Sequence, residues 1–137
     1  MGLEVITHGG IRYAEIIRAD LKVEKTTFFS PAESSFQFGL LAHEAGFIQP
    51  RPYHREFERP IKDLQQMFVV QRGVVGVQLF SDDGELLREV ELRAGDAIVL
   101  IHGVHAIRVI EDMQCISVKQ GPFLGDQYDK VFVGNKS

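Results

Sequence analysis

Residues 66–80 read QMFVVQRGVVGVQLF, and the fold turns on how this stretch is taken. It holds two short runs dense in Val, Phe and Met, a composition that favours a pleated, half-buried backbone over a helix. Gly73 stands between the runs, where a tight turn would reverse the chain, so a hairpin of strands 66–72 and 74–80 is expected. Alternation along the first run puts Gln66, Phe68 and Val70 on one face. Met67 and Val69 make its other face apolar as well. That second face calls for burial against another sheet or a partner subunit.

The neighbouring sequence repeats the same grammar. SFQFGLLA (35–42), LLREVEL (86–92), DAIVLI (96–101), HAIRVIE (105–111) and MQCISVK (113–119) are further short strands, parted by turn residues at SDDGE (81–85), RAGD (93–96), HG (102–103) and ED (111–112). LFSDDGELL (79–87) is the clearest hairpin, because Asp83-Gly84 suits a turn that needs a positive φ. EVITH and IRYAEIIR flank Gly9-Gly10 and read as another hairpin or edge pair, with strand preferred over helix for 11–21. Many short antiparallel strands in one chain of 137 residues predict a single all-β domain that closes its sheet into a sandwich or barrel.

Composition limits what such a domain can do. Apolar residues make up 45% and charged residues 25% of the chain, the balance of an ordinary globular protein. The formal net charge is −4 and no Lys/Arg cluster occurs, which argues against nucleic acid as partner. No run approaches the roughly 18 apolar residues of a membrane span, and MGLEVITHGG lacks the pattern of a signal peptide. A lone Cys115 rules out an internal disulfide and reads as a small core residue. The cytoplasm is the expected location.

Candidate site residues gather in RPYHREF (51–57) and around His105. If 51–59 is a strand, the register that turns His54 inward also turns Glu56 inward, and two polar groups on an inner face need a reason. Arg51, Arg55 and Arg59 could hold a phosphate or carboxylate, or form a solvated outer face. Tyr53 and Tyr128 could stack on a sugar or base, or simply pack. His105 shares its register with Ile107 and Val109, so its imidazole sits among core residues. Gln66 could orient a ligand or bond to a neighbouring strand. His102 reads as a turn residue, and His8 and His43 stand without a constellation.

Together, RPYHREF, the stretch 66–80 and RAGDAIVLIHGVHAI (93–107) resemble the two-motif pattern of the cupin superfamily. In that pattern an HxH pair, a Glu and a closing Gly form the first motif, and a Gly-Asp pair leading to a His after a Gly turn forms the second. His54 matches the second His of the pair, with Pro52 in place of the first. Gln66 matches the Glu, and His105 matches the His of the second motif. EDMQCISVKQGPF (111–123) is similar to a stretch of small bacterial cupins found among surface-polysaccharide genes. A weaker similarity is to nucleotide-sugar ketoisomerases, which carry Gln at the Gln66 position, use histidines without a metal, and end in a tail like GDQYDKVFV (125–133). The insert REFERPIKDLQ (55–65) lengthens the gap from His54 to Gln66 relative to those enzymes.

The resemblance implies a cupin-type jelly-roll β-barrel spanning 1–137 and forming a homodimer. It implies a small polar ligand, a nucleotide sugar, handled by an isomerase or epimerase-like protein of surface-polysaccharide synthesis. In that reading His54 and His105 are acid and base, while Gln66, Tyr53, Arg51 and Glu56 bind substrate. Alternatives are a non-catalytic sugar-binding or regulatory cupin, and a weak Zn or Ni site on His54, His105 and Gln66. No cofactor is expected, because Pro52 and Gln66 replace two strong ligands.

Overall fold

The computed structural model describes residues 3–132 and is nearly all-β. Val133, the last residue of the tail resemblance, lies outside the described residues. The strands are β1 (Glu4–His8), β2 (Ile11–Ile17), β3 (Thr27–Phe28), β4 (Gly39–Leu40), β5 (Gln66–Phe80), β6 (Leu86–Arg93), β7 (Ala97–Leu100) and β8 (Val104–Lys119). One short helix, α1 (Asp126–Asp129), follows. The chain divides into two compact units, one of residues 1–21 and 65–137 and the other of residues 22–64.

The first unit is a strongly curled antiparallel sheet in the order β1-β2-β7-β5-β6, with β8 along the far edge of β5. β5 is its spine. The first residues of β5 pair with β7, the last pair with β6, and β8 runs beside the whole of it. Two expected hairpins are therefore single strands. Residues 66–80 do not reverse at Gly73, and 104–119 pass straight through Glu111-Asp112. Gly73 keeps its positive φ of 87° but spends it on a bulge. A Cβ there would meet the Asp112 carbonyl oxygen at 2.1 Å, so only glycine lets the two backbones come this close.

The pairing register slips between Val70 and Arg72, between Arg72 and Val74, and between Val74 and Val75. These slips change the phase of the alternation. Val70 is buried before them, and Val75, Val77 and Leu79 are buried after them, so the apolar face passes from even to odd residues without turning over. Bulges also sharpen bending, which fits the curl of the sheet. The core joins these residues to Ile6, Ala14, Ile16, Val90, Leu92, Ile98 and Leu100. All of β7 is buried, as expected for a strand covered on both faces.

Polar contacts fix the turns. The Gly95-Asp96 turn is tied down by Asp96, which accepts from the Arg93 N–H at 2.9 Å, the Ala19 N–H at 2.9 Å and the Arg18 guanidinium at 3.1 Å. Gly84, at φ 84°, makes the β5–β6 hairpin turn that the sequence predicts, closed by the Ser81 N–H to Glu85 carbonyl bond at 2.8 Å. The β1–β2 hairpin turns at Gly9-Gly10, also as predicted.

The second unit has little regular structure. β3 and β4 pair Thr27 with Leu40 and Phe28 with Gly39, so the longer strand expected over 35–42 shrinks to two residues. Gln37 takes up the local polar groups instead: its amide donates to the carbonyls of Pro31 at 2.9 Å and Ser34 at 3.0 Å. Phe38 is buried next to it. Residues 51–61 form no strand, and all of them are exposed. The inward register inferred for His54 and Glu56 therefore has no strand to rest on. Proline at 50, 52 and 60 and the charge run between them disfavour a ladder.

A candidate ligand face on the curled sheet

His105 opens the second residue of β8 and is paired with Leu79, whose other partner is Arg88 on β6. Directly opposed residues share a face, so Arg88, Leu79 and His105 form one cross-strand row. The rows below are Val90, Val77, Ile107 and then Leu92, Val75, Val109. Leu79, Val77, Val75, Val90 and Leu92 are buried, which makes this the apolar, inner face of the curl. Phe68, from the other half of β5, meets the His105 ring edge-on with centroids 6.4 Å apart and planes at 67°. Residues far apart along β5 and β8 meet there because the sheet bends back on itself.

Gln66 lies on the same face as Phe68, in a row with Leu100 and Lys119. Its amide nitrogen donates to the Ser117 hydroxyl at 2.9 Å, which fixes the donor end and aims the side chain. This contact is the bond to a neighbouring strand that the sequence allows for Gln66. Lys119 extends over the ring of Phe123 at 5.3 Å. Cys115 packs half-buried against the core, as its sequence context predicts.

The protein packed around His105 pushes its pKa below the ordinary histidine value, and the nearby Lys130 charge pushes it further the same way. The ring nevertheless keeps open surface. Such an imidazole is neutral at physiological pH and can accept a proton from a ligand. The rows around it hold Arg88, Leu79, Val90, Val77 and Ile107, with no carboxylate.

No family model, no curated protein and no solved structure matches this chain. What the site can do therefore rests on its own residues.

His54, Tyr53, Arg51 and Glu56 belong to the unit of residues 22–64, and the inner face just described belongs to the sheet unit. None of the four has a hydrogen bond or ion pair among the described residues, and Tyr53 is 85% exposed. The structure thus brings Gln66 and His105 onto one face of the sheet and leaves the other four on irregular chain. No group of three or more His, Cys, Asp or Glu side chains is placed to hold a metal ion among the described residues.

The sequence reading passed over several residues that the fold makes relevant. Arg88 and Ser117 reach this face through β5–β6 and β5–β8 pairing, for which no local signal exists. His102 is more than a turn residue: its ring approaches Asp82 at 3.0 Å and stands edge-on to buried Tyr13, with centroids 5.0 Å apart. Gly103 beside it is pressed so close to Tyr13 that an added Cβ would meet the ring at 2.5 Å.

Proposed function

We propose that this chain is a cytoplasmic, cupin-like β protein that binds a small polar molecule, a nucleotide sugar of surface-polysaccharide synthesis, and moves a proton beside its sugar carbonyl. What supports the reading most is His105, an imidazole whose pKa its surroundings lower, on the inner face of the curled sheet, with the Gln66 amide anchored on the same face. A neutral base can take the proton from the carbon next to a carbonyl, and an amide can hold a sugar hydroxyl in register. No metal or redox step enters this chemistry.

The test is hydrogen exchange. In deuterated water, a panel of nucleotide 4-keto-sugars should exchange one carbon-bound hydrogen in the presence of the protein, followed by NMR. His105→Ala should abolish exchange while weakening binding far less, because contacts made only in the transition state are lost. His54→Ala tests in the same assay whether that residue takes part. A second reading, a non-catalytic sugar binder, draws support from the lack of a carboxylate in the rows around His105. Tight binding of an unchanged sugar with no exchange would select it.

A further inference from the structure

The arginines of the sheet unit are not treated alike by the fold. Arg12 reaches Glu15 at 3.2 Å, Arg18 reaches Glu4 at 2.7 Å and Asp96 at 3.1 Å, and Arg93 reaches Glu91 at 2.6 Å. Arg108 pairs with Glu89, and Arg72 donates to Gln114. The Arg88 side chain has no hydrogen bond and no ion pair among the described residues. It is also the arginine that shares the inner-face row with His105.

Two strand spacings separate the backbones of Arg88 and His105, about 10 Å, with Leu79 as the floor between them. That span fits one or two phosphate groups. On the opposite face, Glu89 lies over Gly76, takes a hydrogen bond from Gln78 at 3.0 Å and neutralises Arg108. The two carboxylates of β6, Glu89 and Glu91, thus engage Arg108 and Arg93 rather than Arg88. The inner face keeps an unneutralised guanidinium in a chain whose formal net charge is −4.

We propose that Arg88 is the anion anchor of this face, holding the phosphate of a phosphorylated ligand beside His105. The proposal rests on the reading of the His105 face as the ligand site, and it adds a residue and a charge requirement to that reading. Planar guanidinium matches two phosphate oxygens at once, and with no internal carboxylate to displace it is free to do so. Uncharged sugars gain nothing from it.

Calorimetric titration with inorganic pyrophosphate, a nucleoside diphosphate and an uncharged monosaccharide tests this on the full chain. The wild-type protein should bind both anions. Arg88→Gln should weaken that binding by about tenfold or more, the loss expected for a hydrogen bond to a charged group. Arg108→Gln, on the opposite face, should stay within about twofold, as for an exposed ion pair. A melting curve confirms that both variants are folded. A nucleoside diphosphate that binds more tightly than pyrophosphate identifies a nucleotide as the source of the phosphate, and equal binding identifies phosphate alone. Failure of the wild-type protein to bind either anion, undiminished binding by Arg88→Gln, or an equal loss in Arg108→Gln would overturn the assignment. The two readings fail separately. Arg88-dependent anion binding without any keto-sugar exchange keeps the anchor and removes the isomerase. Exchange that needs His105 but keeps its full kcat/KM in Arg88→Gln keeps the isomerase and removes the anchor.

Discussion

Glu15 is 1% exposed, opposed by Val5 on one side and Val99 on the other, and its Oε1 meets no donor among the described residues. Burial pushes its carboxyl above the ordinary value of 4.5, and the Arg12 guanidinium works against that rise. Because the folded pKa is raised, Glu15 favours folding fully below about pH 4.5, and this contribution is lost as the pH rises through the folded value. Glu15→Gln should therefore be more stable than wild type at pH 7, by about 1 kcal/mol in urea unfolding. The gain should vanish toward pH 4, and a less stable variant at pH 7 would show that the Arg12 contact outweighs burial. His105 has the opposite sign: its depressed pKa gives stability that is present above about pH 6.5 and lost as the pH falls through the folded value. An NMR titration should place its midpoint below 6.5, and Lys130→Gln should move that midpoint upward. At this scale the alternation along 66–70 was enough to put Gln66 with Phe68 and Val70. Arg88 was out of reach, because its place beside His105 depends on two strand pairings at once.

β5 and β8 are where local reading and fold part company. Gly73 at φ 87° serves a tight turn and a bulge equally well, and the flanking sequence is the same in either case. The choice belongs to β8, whose backbone at Asp112 fills the space a side chain would take. Gly73→Ala should consequently cost about 2 kcal/mol or more, combining a strained φ with a clash against backbone that cannot give. Gly76→Ala, in the same strand, would meet only the flexible carboxylate end of Glu89, at 2.7 Å. It should cost under about 1 kcal/mol, partly offset by the better strand entropy of alanine. Equal losses in the two variants, measured by chemical denaturation, would mean that the bulge is not a fixed feature of β5. The 51–59 segment errs the other way. Its alternating charges imitate strand periodicity, while its prolines and lack of a pairing partner keep it irregular.

At the scale of the molecule, β8 pairs only with β5 among the described residues, so one edge of a long strand carries no ladder partner. Its side chains Val109, Ile110, Met113, Ile116 and Val118 are exposed, as are Phe28, Leu41, Phe47 and Ile48 of the 22–64 unit. An open edge with this much apolar surface invites association, and a twofold pairing of identical copies is the closed way to satisfy it. Light scattering at micromolar concentration should give about twice 15.4 kDa. Ile116→Lys combined with Val118→Lys should return the chain to 15.4 kDa with its circular dichroism unchanged. A wild-type monomer would contradict the homodimer. Among the described residues no helix is long and apolar enough to cross a membrane.

By itself the sequence determined the β class, the hairpins at Gly9-Gly10 and Asp83-Gly84, the buried strand after Gly95-Asp96 and the company of Gln66. Each of these depends on residues within a few positions of one another, through alternation or the φ preference of glycine. The tertiary structure alone decided that 66–80 and 104–119 run on as single bent strands, that Phe68 meets His105, and that Arg88 faces inward while Arg108 faces Glu89. Those outcomes depend on which strand lies beside which and in what register, and pairing energy between segments distant in sequence leaves no mark on either segment alone.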